Sequence, residues 1–340
     1  MELQERSDKT FVLQLLSKET NMSEKIATRQ AYGEALLELG AEFPDLVVLD
    51  ADLSGSTGTA KFAKQFPERF FNLGIAEQNM ISTAAGLAAS GKIPFASSFA
   101  MFATGRAWEQ VRNSVAHNEF NVKIAATHAG ISLGEDGASH QIIEDIAIMS
   151  VIPKMTVLVP ADAVETKAMM RALMTYPHPT YIRLGRPPVP IIFDSSTFKL
   201  KIGKSQIVKD GKDVSIIGLG ITLHLALEAA IELEEEGIKA EVINLSSIKP
   251  LDEVGLLNSL NKCGCAVVVE EHNSFLGVNS LIGSLISQRM NKFCPMESIG
   301  VEDRFGQSGT LNQLLDEYGL TSEHIVQKAK HALSRKQKEN

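Results

Sequence analysis

Short apolar runs alternate with helical patterns from one end of this chain to the other, and that alternation limits the fold more than any other feature of the sequence. The runs "LVVLDADLS" (46–54), "VKIAATHAG" (122–130), "MTVLVPAD" (155–162) and "TYIRLGRP" (180–187) are nearly continuous in apolar residues, as in strands buried on both faces. "DVSIIGLG", "KAEVINL" and "CAVVVEEH" repeat that texture in the second half. Between them lie helical patterns. "RQAYGEALLELG" (29–40) predicts a helix that ends at Gly40. "MISTAAGLAASG" (80–91) predicts a helix of small residues that lets a neighbour approach closely, an expected interface. "AVETKAMMRALM" follows the strand at 155–162, and "ITLHLALEAAIELEEEG" places Leu223, Leu227, Ala230 and Ile231 on one face, with Gly237 just past its end. Strands that alternate with helices build parallel sheets. The expected fold class is therefore α/β, with two domains, each a mostly parallel sheet flanked by helices.

A chain of 340 residues exceeds one ordinary domain. The texture breaks at "PPVPIIFDSSTFKLKIGKSQIVKDGKD" (187–213), which is Pro-rich and then polar, and reads as a linker or covering hairpin. The expected layout is a loosely ordered leader at 1–21, with Met22 a second possible start, a first domain at 22–190, a linker at 191–212 and a second domain at 213–340. A net charge of −8 with no dense basic block argues against nucleic acid or a membrane surface as partner, while leaving anionic substrates open. Three cysteines, Cys263, Cys265 and Cys294, give no disulfide framework. With no secretory signal and no apolar run of about 18 residues, a reducing cytoplasmic setting is expected.

Four stretches carry candidate chemistry. In "FFNLGIAEQNM" (70–80) a single acid, Glu77, opens a small-residue helix among apolar and neutral neighbours. In "FASSFAMFATGRAWEQVRNSV" (95–115), Phe99 and Phe102 stand three apart. "ATHAGISLGEDGASHQ" (126–141) leaves a buried strand carrying His128, Glu135, Asp136 and His140 among glycines, where α/β proteins place acid–base chemistry. Alone, Glu77 reads first as a surface acid and Phe99–Phe102 first as a core pair, while the stretch at 126–141 reads equally as a structural loop. The Gly218-x-Gly220 of "IIGLGITL" is similar to a dinucleotide fingerprint with Glu241 as its distant acid, but Leu223 replaces the third glycine and a tight strand-to-helix turn is the preferred reading. His128 and His140 lack a third ligand at zinc spacing, so no metal site is expected on this chain.

Taken in order, A-T-R, D-A-D-L-S-G-S, G-I-A-E-Q-N-M, S-F-x-x-F, T-H, G-E-D-G-x-S-H-Q and R-x-x-R before prolines resemble the C-terminal half of transketolase, its pyrimidine-binding plus C-terminal domains. The resemblance covers roughly residues 25–330, and "GEDGASHQ" is close to that family's GEDGPTHQ. It implies that thiamine diphosphate is the cofactor. Glu77 then matches the acid that hydrogen-bonds the aminopyrimidine, Phe99 and Phe102 the aromatics that pack on that ring, and Asp52 an acid near the thiazolium. His128, Asp136 and His140 match residues of the substrate channel, with Glu77, His128 and His140 the catalytic set. Arg29, Ser56, His128 and Arg186 match the group that holds a sugar phosphate, where arginine forks suit a dianion. Gly105 stands where some relatives have a third aromatic, and Ala129 where many have Asp.

The family's diphosphate-binding half carries a G-D-G motif that holds the metal, and no G-D-G occurs here. The resemblance therefore implies the C-terminal subunit of a split transketolase, with Mg²⁺ and the diphosphate held by an N-terminal partner subunit in an α2β2 assembly. Such an enzyme transfers a two-carbon ketol unit between sugar phosphates. Deoxyxylulose-phosphate synthase and the β subunit of 2-oxoacid dehydrogenases share the layout and stay as alternatives, as does a non-catalytic partner subunit.

Overall fold

The computed structural model describes residues 24–337. A seven-stranded sheet in the first half contains, in spatial order, β12 (Ser247–Lys249), β6 (Thr156–Leu158), β7 (Thr180–Arg183), β5 (Lys123–Thr127), β4 (Ile93–Phe99), β2 (Leu46–Asp50) and β3 (Phe70–Asn72). All neighbours in it run parallel except β12, which lies antiparallel on β6. A five-stranded sheet follows in the order β14 (Met296–Val301), β13 (Ala266–Asn273), β10 (Val214–Gly218), β11 (Ala240–Asn244) and β9 (Gln206–Lys209), with only β9 antiparallel. A two-stranded ribbon pairs β1 (Lys25–Ala27) with β8 (Pro188–Pro190). The continuous apolar runs are fully buried strands: every residue of β2, β5, β10 and β11 is buried.

β9 lies inside the expected linker and joins the second sheet. The halves also interlock. β12 belongs by sequence to the second half yet hydrogen-bonds to the edge of the first sheet, and Lys249 Nζ donates to the Ser150 and Ile152 carbonyls beside it. One apolar core cluster runs through both halves, from Leu49 and Met80 to Ile217, Leu256 and Val268. The leader at 1–21 lies outside the described residues.

Two local expectations change. The first helix runs Thr28–Glu42, past Gly40. A side chain at Gly40 would lie 2.6 Å from the Phe62 ring and 2.8 Å from Phe66, so this glycine serves close packing rather than a cap. In the helix Thr222–Glu235 the buried face contains Leu223, Ala226, Ala230 and Leu233, while Leu227 and Ile231 are half-buried. At the end of β10, a Cβ on Gly218 would stand 3.0 Å from the Leu223 backbone, and Glu241 is buried against Ser259 and Lys262. That geometry is the tight turn, with the acid used internally.

Gly33, on the first helix, packs on the turn that carries Ser56: an added Cβ would meet the Gly58 carbonyl oxygen at 2.5 Å. Backbone cannot rotate away as a side chain can. Gly33→Ala is expected to lower stability by about 1–3 kcal/mol through overpacking, despite a helix-propensity gain of about 1 kcal/mol. Denaturant unfolding measures the sign, and a stabilised variant would contradict this packing.

Candidate functional site

The expected residues gather at one end of the first sheet. Asp52 and Ser56 follow β2, Glu77 follows β3, Phe99 ends β4 with Phe102 just beyond, His128, Asp136 and His140 follow β5, and Arg186 follows β7. These are the carboxyl ends of parallel strands, where open α/β sheets bind ligands. Arg29 comes from the helix after β1, the ribbon strand.

An aromatic group forms the centre. The Phe99 and Phe102 rings stack with centroids 5.9 Å apart and 13° between planes. His128 lies on Phe99 at 3.9 Å, and His140 meets Phe102 edge-on at 5.3 Å. Phe102 is the second residue of a π-helical turn, Met101–Arg106, whose wider winding recurs at functional sites. The turn sends Arg106 back across the Phe102 face, 4.7 Å from its centroid, to donate from Nη1 to Glu77 Oε2 at 2.9 Å. Glu77 opens the helix Glu77–Ala89 and is only 1% exposed. A carboxylate at that position gains from the helix N-terminus as well as from the arginine.

His128 has a backbone φ of 61°, an unusual conformation for a bulky residue. Its Nδ1 lies 2.8 Å from the Thr127 hydroxyl. Burial first, and then the Arg29, Arg186 and His140 charges, push its pKa down to about 3. The imidazole is therefore neutral at physiological pH and suits hydrogen bonding to a polar ligand rather than proton donation. His140 is half-buried, with Nδ1 2.9 Å from the Ser139 hydroxyl.

The two distant arginines do meet. Arg29 Nε donates to the Arg186 carbonyl at 3.3 Å across 157 positions, and Arg29 Nη1 donates to the Ser56 carbonyl at 2.6 Å. Burial, with Arg186 nearby, lowers the Arg29 pKa. Ser56 thus contributes its backbone here. Arg186 Nη1 donates to the Leu133 carbonyl and to Glu135 Oε2, the latter at 2.8 Å. Asp52 is exposed, with φ 65°, and exchanges hydrogen bonds with Asn72. The buried acid of that segment is Asp50, which accepts from the Thr57 and Thr59 hydroxyls and shapes the turn. Asp136 sits exposed on the glycine loop.

Sequence reasoning missed three contributors. The spacing from Phe99 to Arg106 fits the family, but the sequence gives Arg106 no role, because its reach to Glu77 depends on the π-helical turn. Glu271 comes from β13 in the second half: its Oε1 accepts from the Ser132 backbone N–H, in space that a Gly130 side chain would fill. Gln141 Nε2 donates to the carbonyls of Ile131, Gly134 and Gln307, the last from the second half. Paired acids in "VVVEEH" and the Gln after His140 were visible, but nothing local tied them to this loop.

Fold and site together define a two-domain α/β protein whose first domain collects a buried acid, stacked aromatics, imidazoles and two arginines at the ends of parallel strands. The family descriptions "Transketolase, pyrimidine binding domain" and "Transketolase, C-terminal domain" match residues 24–191 and 203–325. A Methanocaldococcus jannaschii protein described as a transketolase C-terminal section is 51% identical over 304 residues, covering 88% of this chain and 94% of its own length. A 6-deoxy-6-sulfo-D-fructose transketolase subunit of a Clostridium species is 40% identical, covering 91% of this chain and 95% of its own length. A solved structure described as a split gene transketolase, inactive β4 tetramer, superposes with a TM-score of 0.84 at 51% identity, over 91% of this chain and 99% of that one. The chain belongs to the transketolase family. It is homologous along most of its length to C-terminal sections of split transketolases, and these relatives do not favour the synthase or dehydrogenase readings.

The His128 environment makes a direct prediction. Its imidazole is expected to stay neutral down to pH 5, as followed by NMR of the labelled ring. Because its folded pKa lies below the unfolded value, its burial makes the fold progressively less stable as pH falls from about 6.5 toward 3. A measured pKa above 6 would show that the buried environment does not govern this residue.

Proposed function

We propose that this chain is the C-terminal subunit of a split, thiamine diphosphate-dependent transketolase, which moves a two-carbon ketol unit from a ketose phosphate to an aldose phosphate. One observation carries the reading: in a transketolase-family domain, Glu77, 1% exposed, is tied through Arg106 to the face of Phe102, which stacks with Phe99 and meets His140. A buried carboxylate next to flat apolar faces fits an aminopyrimidine, which needs one charged hydrogen-bond partner and a stacking surface. When bound, thiamine diphosphate supplies the nucleophilic carbon that carries the transferred unit.

This chain's residues then have separate tasks. Glu77 holds the pyrimidine through a charge-assisted hydrogen bond, worth about 1.5–3 kcal/mol. Phe99 and Phe102 offer the ring surface and exclude water. Neutral His128 and the more accessible His140 hydrogen-bond the sugar's oxygens. Arg29 and Arg186 face a phosphate, and Asp136, on the exposed loop, meets an acceptor hydroxyl. Mg²⁺ and the diphosphate belong to an N-terminal partner subunit in an α2β2 complex. The support for this division is that relatives matching this chain along nearly their whole length are described as sections or subunits. That reading also accounts for a relative described as an inactive β4 tetramer. Three free buried thiols suit a reducing cytoplasm.

The isolated chain is expected to show no transketolase activity with added thiamine diphosphate and Mg²⁺, and to gain it with its partner. Activity from this polypeptide alone would end the split-enzyme reading. In the complex, Glu77→Gln keeps the shape and removes the charge. It should lose about 10²–10⁴-fold in turnover while the fold survives, and near-normal turnover at saturating cofactor would remove Glu77 from this role.

Arg186 provides the substrate test. Its pairing with Glu135 is partly exposed and worth only about 0–1 kcal/mol, so loss of that pair alone would pass almost unnoticed. If the guanidinium holds phosphate, Arg186→Ala raises KM for phosphorylated donors strongly and leaves kcat for hydroxypyruvate nearly unchanged, since the lost contact is equal in ground and transition states. Steady-state kinetics on both donors decide: equal effects, or none, would move the phosphate elsewhere.

A further inference from the structure

The loop at 128–141 carries His128 at one end and His140 at the other, and its Leu133 carbonyl and Glu135 carboxylate hold Arg186. Two separate tethers fasten this loop to the second half of the chain. At the first, Glu271, 3% exposed, accepts the Ser132 N–H, and Gly130, with φ 80°, leaves the room its carboxylate needs. Arg183 donates to the Glu271 carbonyl at 2.8 Å and fixes the same residue from the β7 side. At the second, Gln141, 5% exposed, donates from one nitrogen to Ile131 and Gly134 within the loop and to Gln307 across the domain boundary. Ser308 beside it seats against Gly137, where a Cβ would lie 2.5 Å from the hydroxyl oxygen.

We propose that Gln141 and Glu271 are positioning residues for sugar-phosphate binding, and that the second domain acts on the reaction by holding this loop in register. The proposal rests on the transketolase reading above. Neither side chain belongs to the substrate-binding set. Each acts through the loop on His128, His140 and Arg186. Glu77 and Arg106 lie on other elements, so a loosened loop leaves the acid that binds the cofactor in place.

The test uses the reconstituted two-subunit enzyme. Gln141→Glu is nearly isosteric but loses the amide donor, and sets a carboxylate against three carbonyl oxygens. It is expected to raise KM for phosphorylated sugars and lower kcat/KM by about 10- to 100-fold, the scale of a small misplacement of binding groups. Thiamine diphosphate affinity, read by quenching of protein fluorescence, is expected to stay unchanged. Gly306→Ala is the second variant, made in the other half of the chain on an exposed loop and outside the left-handed region. Its methyl would fall on Gln141 Oε1 and displace that side chain, with the same kinetic outcome. A fall in Tm with unchanged KM and kcat in the variants, while Glu77→Gln is inactive, would overturn the positioning role. Full activity of Glu77→Gln would instead overturn the cofactor reading beneath it.

Discussion

A buried cluster of charges fastens the two halves of this protein together. Arg183 at the end of β7 pairs with Asp145 at 2.7 Å and reaches toward Glu271 at 3.8 Å, and the Tyr181 hydroxyl donates to the same Asp145 oxygen at 2.6 Å. Arg183, Asp145 and Glu271 are all buried. Burial alone would lower the guanidinium pKa, but the two carboxylates outweigh it and raise it instead. Burial also pushes the Glu271 carboxyl upward, against the opposing pull of Arg183. Charges so placed are weak evidence of net stability, but removing one partner from such a group typically costs about 3–5 kcal/mol because the others stay buried and uncompensated. The cluster therefore specifies how the halves meet more than it adds to their cohesion, which the shared apolar core supplies.

The site depends on that arrangement. Strands β2 to β7 deliver their side chains to one edge by ordinary parallel-sheet geometry, and short segments after each strand then bend to face one another. Positive φ at Asp52, His128 and Gly130 marks where that bending is sharpest. Local strain of this kind persists where the surroundings over-determine it, and here the surroundings include Glu271, from the other half, lodged beside Gly130.

Much of this was legible in the sequence, for reasons that differ by level. Continuous apolar runs mark strands buried on both faces, so β2, β5 and β10 needed no tertiary information. The order of short motifs marked the residues that end up at the strand ends. What escaped was long-range. Gly40 reads as a helix stop, but its reason is the Phe62 and Phe66 rings, more than 20 positions away in sequence and in contact only after folding. Arg106 reaches Glu77 only because its turn is wound by i→i+5 bonding, which composition does not announce. Asp50 and Asp52 stand two apart and look alike in the sequence, and only the folded turn shows that Asp50 is buried on the Thr57 and Thr59 hydroxyls while Asp52 pairs with Asn72 at the surface. Glu271 meets Ser132 across 139 positions, and no periodicity reports such a pairing.

The strand β12 has a bearing on how this chain could have arisen and how it can be cut. It is a segment of the second half that completes the hydrogen-bonding of the first half's outermost strand, Ser247 facing Leu158. A cut placed in the Pro-rich stretch near residue 190 would follow the boundary visible in the sequence. It would also leave β6 as a bare sheet edge, the kind of surface that recruits other chains. The covalent seam and the hydrogen-bonded seam of this protein thus run along different lines. Recombination or truncation that respects only the first would produce a fragment predisposed to aggregate, and a clean module would have to carry Ser247–Lys249 along with it.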